Sequence, residues 1–202
     1  MRYLALCAGA VAGFSAMAAA DPIGLVLEPS PDMTVFSTLV EYDADLDLLS
    51  IATTDVSGVT LFDTSGTSPV VGFNPIFDPE INIDVSVDDS GIASGARLSI
   101  SGSFIDGGRI ETLLTGEGVI DFGSSGRTGV LELIIGTTGG TLSGLYGDQI
   151  GIIAGTDGTF GGSFDRNFRT TAGLADIGRP VPAPASLAVL GAGLLAARRR
   201  RR

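Results

Sequence analysis

The sequence predicts an all-β domain, either an antiparallel β-sandwich or a β-meander/Greek-key arrangement. Three observations predict it. Apolar and polar residues alternate with period two in several runs, which marks strands with one face buried and one wet. Turn sequences built on Asp and Gly, namely Asp89-Ser90-Gly91, Asp106-Gly107-Gly108 and Asp157-Gly158, punctuate those runs with residues that accept φ > 0. Glycine makes up 30 of 202 residues without collagen or Gly-Ser periodicity, and no fixed repeat suggests a solenoid or propeller.

Taken in order, the first candidate strand covers about Met33 to Glu41 and continues into an alternating run: Val40, Tyr42, Ala44, Leu46 and Leu48 against Glu41, Asp43, Asp45 and Asp47. Val56 to Asp63 follows. Ile81, Ile83, Val85 and Val87 alternate with Asn82, Asp84, Ser86 and Asp88, and Ala96, Leu98, Ile100 and Phe104 with Arg97, Ser99, Ser101 and Ser103. Half-exposed antiparallel strands read this way. Further strands are expected at Arg109 to Phe122, Val130 to Gly136, Thr141 to Tyr146, Gln149 to Ala154 and Thr159 to Phe164. The organisation is then a signal peptide (1–20), an acidic β-rich domain (21–170), a linker (171–180) and a tail (181–202).

Both termini carry addresses. Met1-Arg2 opens an apolar stretch from Tyr3 to Phe14, and Ala18 and Ala20 supply the small residues that a signal peptidase needs before Asp21. At the other end stand Val181, Pro182, Ala183, Pro184, Ala185 and Ser186, an apolar stretch to Ala197, and the cluster Arg198, Arg199, Arg200, Arg201 and Arg202. Ala183 to Ala197 is 15 residues without a charge. As a helix it would reach roughly 22 Å, short of a hydrocarbon core of roughly 30 Å. Arginines keep such a segment oriented with their own end cytoplasmic, and the prolines hold the preceding strip extended and outside. This three-part tail resembles the PEP-CTERM sorting signal of Gram-negative bacteria. Val181, Pro182, Pro184 and Ala185 match a Val-Pro-Leu-Pro-Ala variant, while Ala183 departs from both known forms. The resemblance covers about a tenth of the chain. It implies a membrane transpeptidase of the exosortase type as partner, a transient stay in the inner membrane, delivery to the cell surface or matrix, and association with exopolysaccharide or biofilm.

Composition narrows the chemistry of the body. Its only ionised cations are six arginines (97, 109, 127, 166, 169 and 179) against all 23 carboxylates, a net charge of −17, with no Lys and no His. Such a field repels nucleic acid and excludes it as a partner. The only Cys is Cys7, inside the signal peptide. The exported domain therefore has no disulfide, no thiolate or imidazole metal site and no Ser-His-Asp triad. Carboxylate pairs remain, but among so many acids some pair always looks suitable for glycoside hydrolysis. No Trp is present and only Tyr42 and Tyr146 lie in the body, which leaves few rings on which a sugar could stack.

Asp43, Asp45 and Asp47 form the one cluster with metal chemistry, because calcium takes several carboxylate oxygens in flexible geometry. Leu48 and Thr54 stand where an EF-hand loop needs Gly and Glu. The alternation instead puts the three acids in a row on one solvated strand face. Calcium is thus the only cofactor the sequence offers, and no catalytic residue is assigned. The expected function is an exported, non-enzymatic envelope or matrix protein. The alternatives are a calcium-assisted adhesin or binding module, and a surface hydrolase working through carboxylates.

Overall fold

The computed structural model describes residues 21–54, 58–63 and 72–181. Their strands are β1 (Leu27–Asp43), β2 (Leu48–Ala52), β3 (Gly58–Asp63), β4 (Gly72–Val87), β5 (Ala93–Ser103), β6 (Glu111–Ser125), β7 (Val130–Gly139), β8 (Gln149–Gly155) and β9 (Phe168–Pro180), with one short helix, α1 (Ser143–Tyr146). All pairings are antiparallel and nearly every strand lies beside its sequence neighbour. This is the meander among the expected forms.

The ladder closes on itself. β9 pairs with β1 from Asp32↔Gly178 to Tyr42↔Phe168, while β1 pairs on its other edge with β3 through Asp32↔Phe62 and with β2 through Asp43↔Leu48. β2 and β3 thus lie end to end between β1 and β4 and fill one place in the ring. Closure removes the open edges on which another chain could pair. The long strands β1 and β4 bend at irregular positions, where Ser37 (φ 59°) and Asp78 (φ 47°) interrupt the ladder. The bulge at Ser37 resets the alternation, so Met33 and Val35 before it and Thr38, Val40 and Tyr42 after it are all buried.

A barrel of this strand number is just wide enough for its own side chains to fill. Here they do: Val35, Val40, Ile51, Leu61, Ile83, Val85, Leu98, Ile100, Leu114, Leu133, Ile135, Ile150, Ile152 and Ile177 belong to one buried cluster. Among the described residues, every strand finds its partners between residues 27 and 180 and the core is drawn from the same span.

Four sequence expectations are corrected. The run through Leu48 is broken by a turn after Asp43, in which Asp47 adopts φ 52° and Leu46 is exposed. Thr141 to Tyr146 contains the turn of helix α1, and Leu142, which precedes it, and Tyr146, which ends it, are buried at the barrel end. Thr159 to Phe164 is a loop. Residues 171–180, expected as a linker, are most of β9 and close the ring. Their inward positions include the small Gly173 and Ala175, so hydrophobic patterning is weak there. A Cβ on Gly173 would stand 2.5 Å from Thr38 Oγ1 and 2.9 Å from the Gly155 carbonyl, which is why the site is small.

Candidate functional site: the outer surface of a filled barrel

With the lumen occupied, the two ends decide whether anything can enter. One end is stopped by the loop 156–167. Phe160 and Phe164 from this loop are buried beside Tyr42 and Phe168, with ring centroids 4.9 Å apart for Phe160 and Phe164 and 5.0 Å for the edge-on pair Tyr42 and Phe164. Thr156 anchors the loop: its N–H and its Oγ1 both donate to the Gly129 carbonyl, at 2.8 and 2.9 Å. Gly126 packs on the Gly162 backbone so closely that any Cβ on Gly126 would collide with it. The opposite end is covered by α1, where Leu142 N–H donates to the Leu113 carbonyl at 2.8 Å and the Tyr146 hydroxyl donates to the Ile177 carbonyl at 3.3 Å. Burial, then the charges of Asp32 and Asp63, push the Tyr146 phenol far up.

The three aspartates singled out from sequence do not share a strand face. Asp43 ends β1, and Asp45 and Asp47 lie in the turn. The Asp43 carboxylate accepts the Asp45 N–H at 3.0 Å, and the Asp47 carbonyl accepts the Val87 N–H at 2.8 Å. The neighbouring turn repeats the device, Asp88 Oδ1 accepting from Ser90 N–H and Ile92 N–H at 3.0 and 2.9 Å. These carboxylates staple turns. Between the two turns sits Tyr42, whose hydroxyl donates to the Val87 carbonyl at 2.9 Å. Burial, then Asp47, Asp89, Asp88 and Asp43, raise its pKa. Among the described residues no group of acids is arranged to hold a metal ion.

Of the two segments expected from sequence to act as addresses, only the flanks are described. Ala18 and Ala20, the motif residues Pro182 to Ser186 and Arg198 to Arg202 lie outside the described residues. Asp21 begins a strap that crosses the outside of β6, β7 and β8: its carbonyl would be 2.5 Å from a Cβ on Gly123, Gly24 N–H donates to Glu132 Oε2 at 2.9 Å, and Leu27 overlies Gly151 and Gly178. Val181 follows β9 at the α1-covered end, its N–H donating to the Val26 carbonyl at 2.8 Å. No helix among the described residues is long and apolar enough to cross a membrane.

The outer wall itself is uneven. Over β9, β1, β2, β4, β5 and β6 a single cross-strand row reads Arg169, Glu41, Ser50, Asp84, Arg97 and Glu117. Arg169 and Glu41 approach to 3.8 Å, Arg97 and Glu117 to 3.9 Å, and Ser50 Oγ donates to Asp84 at 2.8 Å. Nearer the α1-covered end, the same wall turns apolar around a groove lined by Asp32, Thr34, Phe36, Thr60 and Phe62. Burial, then the charge of Asp176, raise the Asp32 pKa. Sequence reasoning missed this groove, because Phe36 and Phe62 are indistinguishable from core residues until closure and the bulge at Ser37 fix which way they face.

No protein-family model, no curated protein and no solved structure matches this chain.

Proposed function

We propose that the chain is an exported, non-enzymatic display protein: a filled β-barrel released by signal peptidase after Ala20, held briefly in the inner membrane by the tail, and passed by an exosortase-type transpeptidase to the cell surface or the polysaccharide matrix. The three-part tail from Val181 to Arg202 is the observation that carries this reading. The apolar stretch is too short for a comfortable permanent span, and the Arg cluster holds it in one orientation. The barrel supports the reading in two ways. The last strand of the described residues ends at Pro180, ahead of the motif at which the tail would be cut. A body without Lys, His or Cys also offers no amine, imidazole or thiol for catalysis and is left with carboxylates and hydroxyls. The test is deletion of residues 181–202 in the native host. Residues 21–181 should remain folded while the protein is lost from the surface and matrix fractions; unchanged location would contradict the role of the tail.

A further inference from the structure

The residues that sequence offers as a linker ahead of the sorting motif, 171–180, are all taken by β9. The motif therefore begins where the sheet ends. Its first residue, Val181, donates its N–H to the Val26 carbonyl at 2.8 Å and so continues the pairing Leu27↔Pro180 by one position. On the other side of that pair Arg179 Nη1 meets Glu28 Oε2 at 3.4 Å. Residues 26–28 thus hold 179–181 against the barrel. This last rung is set apart from the rest of the ladder, because between Leu27↔Pro180 and Asp32↔Gly178 β1 carries more residues than β9 and the register breaks. What seats it is the strap. A Cβ on Gly151 would stand 2.5 Å from Leu27 Cδ2 and one on Gly178 3.1 Å from Leu27 Cβ, so two glycines make the bed on which Leu27 lies. Gly24 N–H pins the strap further up, on Glu132 Oε2 at 2.9 Å.

We propose that the strap is a latch on the sorting motif: a transpeptidase reaches the bond it cuts only when the rung between 26–28 and 179–181 opens, and the opened residues supply the spacer that β9 has consumed. An enzyme that cuts and rejoins a chain holds the residues beside the bond extended, their backbone groups paired within its cleft. The Val181 N–H is spent on Val26, and Pro180 and Pro182 have no N–H to offer. A strand end cut off from its ladder by a register break opens locally, at a fraction of the cost of unfolding the barrel. The domain therefore stays folded while the motif is offered, and the rate of sorting follows the opening of one rung. This rests on the reading of the tail as a sorting signal, and gives that signal a control within the barrel.

The test locks and unlocks the rung in the full chain, expressed in the native host. Residues 21–202 contain no Cys, so the double variant Leu27→Cys/Pro180→Cys has only its own pair to bridge. The two positions are direct cross-strand partners, which places their Cα atoms about 4.5–5.5 Å apart, within the range that a disulfide spans. Neither lies in the motif. Intact mass should show the bridged chain keeping Arg202 in the inner membrane, at about tenfold or more the level of the parent. Dithiothreitol in the medium should return processing to the parent's rate or above it, since the reduced variant has also lost the Leu27 seat; this recovery guards against a folding defect. In the purified mature chain, Leu27→Ser should speed hydrogen exchange at the Val181 amide by about tenfold or more. Failure of the bridge to form, processing of the bridged chain at the parent's rate, or an unchanged Val181 exchange rate in Leu27→Ser each overturns the latch and leaves the sorting reading standing. A parent that itself keeps Arg202 overturns both, and is told apart by needing no bridge.

Discussion

The two ends of the barrel are closed by different means. At one, an aromatic loop inserts Phe160 and Phe164 against Tyr42 and Phe168, and the aspartate turns after β1 and β4 lie at the same end. At the other, a single turn of helix lays Leu142 and Tyr146 over the core, and the chain leaves through β9. The plugged end is held by ring packing and backbone contact between glycines, the exit end by a few hydrogen bonds. On the proposed reading, the plugged end would be the one presented and the exit end the one attached. The end that carries the acidic turns lies opposite to the one from which Val181 departs, so the tail can be anchored or cut without disturbing the plug.

Removing a ring from the plug should have the largest effect. Phe164→Ala should destabilise residues 21–181 by about 3–5 kcal/mol, seen as a lower denaturant midpoint. A loss below about 1 kcal/mol would mean that the plug is a loosely attached loop. At the exit end, Tyr146→Phe should cost only about 1 kcal/mol, the worth of one hydrogen bond, at neutral pH. It should also move the alkaline limit. The folded phenol titrates above the ordinary value of 10.0, so the unfolded chain releases its proton first and stability is lost as pH rises beyond 10.0. Phenolate absorbance should therefore appear together with unfolding in the parent protein, and unfolding should shift to higher pH in the variant.

Asp32 gives a smaller effect, and here the substitution stabilises. Its folded pKa is raised above 3.8, so the folded state holds the proton more tightly. Stability then falls as pH climbs from 3.8 through the raised value. Asp32→Asn should be stabilising at pH 7 and the gain should vanish below pH 3.8, as denaturant midpoints across pH would report. Calcium should have the smallest effect. At millimolar levels it should raise the thermal midpoint only slightly, with magnesium or moderate salt doing as much. A large calcium-specific rise that disappears on replacing Asp43, Asp45 and Asp47 with Asn would make those turns a metal site.

What the sequence showed depended on how strongly each segment advertised one face. The run Ile81 to Val87 and the run Ala96 to Phe104 alternate large apolar against polar residues, and all but Phe104 lie in β4 and β5. β9 was hidden because Gly173 and Ala175, its inward residues, are small to fit Thr38 and the Gly155 carbonyl. Thr159 to Phe164 looked like a strand because a plug is as apolar as one. The turn at Asp43 to Asp47 was hidden within a perfect alternation, since Ala44 and Leu46 keep the period while lying beyond the strand. The groove between Phe36 and Phe62 could not be read at all: a one-residue bulge at Ser37 decides the face on which Phe36 emerges, and no local pattern announces it.

The central claim, an exported barrel whose two addresses are both temporary, is tested most directly by intact-mass measurement on the protein recovered from the surface and matrix of its native host. The account predicts a chain that begins at Asp21 and whose own sequence ends within residues 182–186, with whatever group the sorting enzyme attaches. A chain that begins at Met1, or one that keeps Arg202 and resides in the inner membrane at steady state, would contradict it.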